Sequence, residues 1–153
     1  MSVVESTAAS GATRPAPIHV LSVTIITVTG MDTRTDATVR LSIDEKEMVL
    51  TCQSNDPNVG PVSALCGCFR QIVPDFTWRD FGIRALAQGE GADGKAHVIL
   101  EKDNQTFYGQ SVSSNIMHAT ACAIADALDK LRWHAHDVER KKRMREQSRV
   151  GGM

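Results

Sequence analysis

The chain has 153 residues, 42% of them hydrophobic, and a net charge of −1. That is enough for one well-buried core, or for two small lobes sharing one, and too little for a second, catalytic domain. Near-neutral charge excludes a whole-molecule field for nucleic acid, so any basic partner surface must be local. No apolar run approaches the roughly 20 residues of a membrane span, and the first 17 residues lack the apolar stretch of a secretion signal; a cytoplasmic protein with no membrane partner is expected.

Residues 1–17 carry two prolines and little that can be buried, which predicts a disordered N-terminal segment. From Ile18 to Thr29 the chain is β-branched and alternating, a strand pattern broken at Gly30-Met31-Asp32. Val39–Ile43 and Met48–Cys52 read as a hairpin turning at Asp44-Glu45-Lys46. The polar loop from Ser54 to Pro61 ends in a proline suited to a first helical turn, and Val62, Leu65, Phe69 and Ile72 then recur at helical spacing until Pro74.

The same order then repeats. Strands are predicted over Trp78–Leu86, Ala96–Leu100 and Thr106–Ser111, followed by a helix from about Ser114 to His134. Val39 and Val98, like the turn residues Asp44 and Asp103, are 59 positions apart. A unit of this length present only twice is no solenoid, and two packed copies of one supersecondary unit are expected. The fold class is therefore α+β: two β-β-β-α units related by an approximate internal two-fold, with a groove between the halves. Ile116, Ala119, Ala123, Ala127 and Leu131 give the second helix a narrow stripe of mostly small residues, which lets it lie close to a sheet. The folded domain is placed at 18–134. Residues 135–153 form a basic tail, strongest over Arg140–Arg145, read as a solvated helix end.

Catalytic chemistry finds little support. Ser113, Ser114 and His118 sit where a helix starts and serine is an ordinary cap, and no acid is placed to orient the histidine. Cys52, Cys66, Cys68 and Cys122 have no matching ligand cluster at zinc spacing and read as small buried hydrophobes. His134-x-His136-Asp137 lacks the further ligand a metal needs. No catalytic residue, metal or cofactor is predicted. The two loops that lead into helices are the sharper signals. Gly60-Pro61-Val62-Ser63-Ala64 and Ser113-Ser114-Asn115 each offer backbone N–H groups at a helix start, suited to a carboxylate, although most such loops are simply capped.

Three ordered motifs carry a family resemblance. They are Asn58-Val59-Gly60-Pro61-Val62-Ser63-Ala64; Asp80-Phe81-Gly82-Ile83-Arg84-Ala85 with Gly89 and Ala92-Asp93-Gly94; and the run from Phe107 to Thr120. Over about His19–Leu131 the chain resembles the C-terminal regulatory (allosteric, dimerisation) domain of 2-isopropylmalate synthase and citramalate synthase. The resemblance implies a non-catalytic homodimeric domain that binds leucine, or else isoleucine, for feedback control, with the catalytic synthase supplied by another chain. Carried over by position, it implies an effector site of Asn58, Gly60, Pro61 and Ser63 from the first loop, Trp78 and Phe81 from the next strand, and Ala92 and Gly94 from the turn beyond. Asn58 and Val59 stand where the family motif has Gly and Asp or Asn, Ser111 replaces a Gly, Asn115 replaces an Asp, and Trp78 is bulkier than the usual aliphatic residue. The alternative is a dimerisation or interaction module without an effector, whose basic tail docks to an acidic partner; nucleic acid is not the expected partner.

Overall fold

A computed structural model of the protein describes residues 14–30, 33–55, 60–86 and 93–151. Three antiparallel strands come first, β1 (Ile18–Val28), β2 (Arg34–Ile43) and β3 (Lys46–Ser54), followed by α1 (Gly60–Phe69). The second set is β4 (Thr77–Ala85), β5 (Gly94–Lys102) and β6 (Gln105–Ser113), followed by α2 (Ile116–Gly151). Each set makes its own sheet, ordered β1-β2-β3 and β4-β5-β6. The two β-β-β-α units expected from the repeat are present.

The repeat extends to backbone detail. Both hairpins close through two residues at positive φ, Asp44 (54°) and Glu45 (66°) in the first and Asp103 (53°) and Asn104 (64°) in the second. That double left-handed conformation is what a two-residue hairpin turn requires, because its twist matches that of the strands. The register of β1 on β2 slips between Val20 and Ser22, and that of β4 on β5 slips between Trp78 and Asp80. A bulge thus falls at the same place in both first strands. The buried Ile18 and Phe76 mark their equivalent starts.

Packing explains the alternation in β2 and β5. Ala37, Val39 and Leu41 point inward with Ala96, Val98 and Leu100 as their counterparts, all essentially inaccessible. α1 packs on β2 and β3, while α2 packs on β5 and β6 and also across β1 of the other lobe. The shared use of α2 corrects the expected narrow stripe. From Ala119 to Leu131 the helix is buried nearly all round, including Ala121, Ile124, Ala125 and Leu128, whereas Ile116 is exposed. A helix clamped between two lobes needs small residues on several faces, and its alanines supply them.

Two boundaries differ from the sequence expectation. α1 ends at Phe69 rather than continuing to Ile72; the next residues form a turn in which the Ile72 and Val73 amides donate to the Phe69 carbonyl. α2 does not stop near His134 but runs on to Gly151. Of the segment expected to be disordered, residues 1–13 lie outside the described residues. Residues 14–18 lie along α2: Trp133 Nε1 donates to the Pro15 carbonyl (2.8 Å), Arg132 Nη1 to the Ala16 carbonyl (2.9 Å), and Arg14 pairs with Asp137 (3.6 Å). Successive residues of this segment meet successive turns of the helix.

Candidate effector site

Gly60 opens α1 directly over β2. A Cβ at this position would lie 2.8 Å from the hydroxyl of Thr35, a residue 1% exposed whose Oγ1 is 3.3 Å from that of Thr27. Glycine is therefore required by close approach. Pro61 follows where a missing N–H costs no helical bond, and Ser63 is half-buried one turn in. Asn58 lies outside the described residues. Trp78 and Phe81 face the same side of β4 despite being three residues apart, because the intervening bulge at Arg79 resets the alternation. Both are half-buried against the core, paired with Leu100 and Val98.

Gly94 starts β5 opposite Ser113 of β6 and lies 3.6 Å, by its virtual Cβ, from Ile116. It belongs with the second loop rather than with the first. Ala92 lies outside the described residues. At the second loop Asn115 caps α2: its Oδ1 accepts from the His118 amide (2.9 Å), its carbonyl accepts from Ala119, and its own N–H donates to Ser113 Oγ (3.1 Å). Ser114 is exposed beside them. Of the N–H groups at this helix start, that of His118 is already met by the Asn115 side chain and that of Asn115 by Ser113.

The described site residues thus fall into three groups: the start of α1 (Gly60, Pro61, Ser63), the inner face of β4 (Trp78, Phe81), and the end of the second sheet (Gly94, Ser113, Ser114, Asn115). The expected groove between the halves exists elsewhere. It is a cleft of about 270 Å³ between β1 and β6, floored by Asp126 and Asp129 of α2. Both carboxylates are engaged in joining strand to helix. Asp129 accepts from the Ile18 amide (3.0 Å) and pairs with Arg132 (3.3 Å), and Asp126 accepts from the Gln110 amide (3.1 Å). Lys130 donates to the Tyr108 carbonyl (2.7 Å). Burial raises the Asp129 pKa from its ordinary 3.8, against the lowering by the Ile18 amide and Arg132. These residues were not singled out by motif. Their only sequence signal is acid followed by base at helical spacing, Asp126–Lys130 and Asp129–Arg132.

Two of the four cysteines, Cys66 and Cys68, sit as buried packing groups as expected, whereas Cys52 and Cys122 are only half-buried. Cys66 and Cys68 are fully buried, burial pushes their thiols up to about 12 and about 11, and Cys68 Sγ donates to the carbonyls of Ala37 and Leu50. His134 and His136 point to different sides of α2. The first is tilted against Phe107 and the second is 3.7 Å from Asp137. Among the described residues no three His, Cys, Asp or Glu side chains gather as a metal site, and no helix is long and apolar enough to cross a membrane.

A family model described as the LeuA allosteric (dimerisation) domain matches residues 3–132, which include both sheets, α1 and the buried part of α2. The chain belongs to this family. Similar proteins include the 2-isopropylmalate synthases of Nitrobacter hamburgensis (28% identical, covering 79% of this chain and 22% of that protein) and Neisseria gonorrhoeae (29%, 75% and 18%). That of Caulobacter sp. is 36% identical over a shorter stretch, 47% of this chain and 14% of its own length. The chain therefore spans between about a seventh and a quarter of these relatives. What this sequence holds is the LeuA-type regulatory domain.

Proposed function

We propose that this LeuA-type domain is a homodimeric, cytoplasmic effector module that binds a branched-chain amino acid and feeds back on leucine biosynthesis. Leucine is the first choice of effector and isoleucine the second, and the enzyme controlled is a 2-isopropylmalate synthase. The family match over both lobes is the observation that carries this reading. The start of α1 adds to it, since Gly60, Pro61 and Ser63 leave a helix N-terminus suited to a carboxylate, and Trp78 and Phe81 offer an apolar wall for an aliphatic side chain.

Dimerisation is supported by a difference between the lobes. The inner face of β1 is packed by α2, whereas α1 is short and packs on β2 and β3. On the equivalent strand β4, Ile83 is 41% exposed, and Leu86 just beyond it is 50% exposed. An apolar strand face of this kind suits a second copy.

The test is thermal unfolding with leucine, isoleucine and, as control, lysine. A ligand at a hundred times its dissociation constant stabilises the folded state by about 2.7 kcal/mol, or roughly 5–10 °C for a chain of this size. Gly60→Val should remove the response relative to its own unliganded melt. No shift of the wild type by either amino acid at about 10 mM, where even millimolar affinity would register, refutes the effector assignment. A monomer by light scattering at tens of micromolar, about the range of weak dimers, refutes the dimer.

A further inference from the structure

The family match ends at residue 132, yet α2 continues to Gly151. One side of this extension is already used: Arg132, Trp133 and Asp137 hold residues 14–16. The opposite side is open. There Leu131, His134, Ala135 and Val138 face Phe107 and the turn between β5 and β6 across a cavity of about 380 Å³. Its floor is apolar. Lys102 stands at the rim, its ammonium donating to the Pro74 carbonyl (3.1 Å).

The same side of the helix carries on, at spacings of three and four, from Val138 to Lys141, Lys142 and Arg145, which line an adjoining hollow. None of the three acids of the extension lines this hollow: Asp137 pairs with Arg14 and Glu139 with Arg143 (3.8 Å), while Glu146 lies beyond it, four residues past Lys142. Between Glu139 and Arg149 there are six basic and two acidic side chains, net +4 in a chain of overall charge −1, so the remainder carries −5. The positive field is confined to this helix.

We propose that this side of α2 is a docking groove for an acidic amphipathic helix of another protein, an aliphatic anchor seated between Phe107 and Val138 and carboxylates laid along Lys141, Lys142 and Arg145. From His134 to Arg145 the groove runs about 16 Å at 1.5 Å per residue, which matches a partner helix of about three turns. The apolar cavity next to the charges favours polypeptide over nucleic acid. A phosphate backbone would leave that cavity unfilled, Phe107 is turned against His134 rather than free to stack on a base, and the rest of the chain is negative. The assignment does not depend on the effector reading.

Fluorescence polarisation on the full chain tests it. The probe is a labelled amphipathic peptide with two leucines four residues apart, followed by glutamates at helical spacing. Saturable binding is expected, weakened about tenfold or more by Lys141→Glu with Arg145→Glu, as two exposed attractions become repulsions. Similar weakening is expected from Val138→Ser, or from serine in place of the peptide's leucines. These side chains are exposed, so melting temperatures should stay unchanged. The proposal is overturned by any of three results: no saturable binding up to about 1 mM, equal binding of the serine peptide, or binding of an oligothymidylate as tight as that of the peptide.

Discussion

Each lobe has a glycine where helix and sheet approach too closely for a Cβ, and the two lobes place it on opposite partners. In the second lobe it is Gly109, on β6. A Cβ there would collide with the carbonyl oxygen of Ala123 and lie 2.6 Å from the Ala127 nitrogen. In the first lobe it is Gly67, on α1, whose Cβ would collide with the sulfur of Cys52 and lie 3.1 Å from its Cβ. Gly109→Ala therefore meets backbone, which cannot rotate away, and α2 must lift by roughly 1 Å to restore ordinary contact. Lifting loosens Val98, Leu100, Ile124 and Leu128, all 0% exposed. Overpacking of this kind costs about 1–3 kcal/mol, and an immovable obstacle puts the cost near the top, a fall of roughly 6–12 °C in melting temperature. Ala127→Gly should not rescue it, because the colliding oxygen and nitrogen remain. Gly67→Ala, by contrast, meets a side chain, and Cys52→Ala should restore more than half of the lost stability. Thermal melts followed by circular dichroism decide the matter. A Gly109→Ala protein melting within about 2 °C of wild type, or one rescued by Ala127→Gly, would refute the backbone argument.

Three further outcomes are expected. Truncation after Val138 should leave the melting temperature unchanged, whereas truncation after Leu131 should lower it clearly, because Arg132, Trp133 and Asp137 hold residues 14–16; equal melts for the two would refute the packing of that segment. Asp129 has a folded-state pKa raised above 3.8, so its contribution to stability is full below that pH and is lost as pH rises through the raised value. Asp129→Asn cannot ionise, and its melting temperature relative to wild type should therefore climb between pH 3 and 7; a flat difference would contradict the shift. Glu45 sits at φ 66° where its repeat counterpart is Asn104 at 64°, and Glu45→Asn should stabilise by about 0.5–1 kcal/mol, roughly 2–3 °C, since asparagine tolerates the left-handed region better.

The repeat was the most legible part of the chain, because alternation and hairpin turns are local properties. Val39 and Val98 are equivalent in sequence and in register, each buried at the centre of its sheet. Helix ends were less legible. Nothing local in Trp133 to Asp137 says that a distant proline-rich segment will dock on them, and the basic run beyond reads as a frayed, solvated end. The small residues of α2 were visible as a stripe, but that they serve two lobes at once is a tertiary fact. The candidate site was legible only through the resemblance: Gly60 looks like any glycine before a helix until Thr35 is seen beneath it, and Asn58 and Ala92 lie outside the described residues.

The placement of the polar seam follows from the same sharing of α2. A helix that joins two separate sheets meets strand edges as well as strand faces, and strand edges carry unpaired N–H and carbonyl groups that must be satisfied. Asp129 answers the Ile18 amide at the start of β1, while Asp126 and Lys130 answer the amide of Gln110 and the carbonyl of Tyr108 on β6. The cleft between the lobes is thus floored by the bonds that hold them to one helix. The effector site proposed above uses other surfaces, the start of α1 and the inner side of β4.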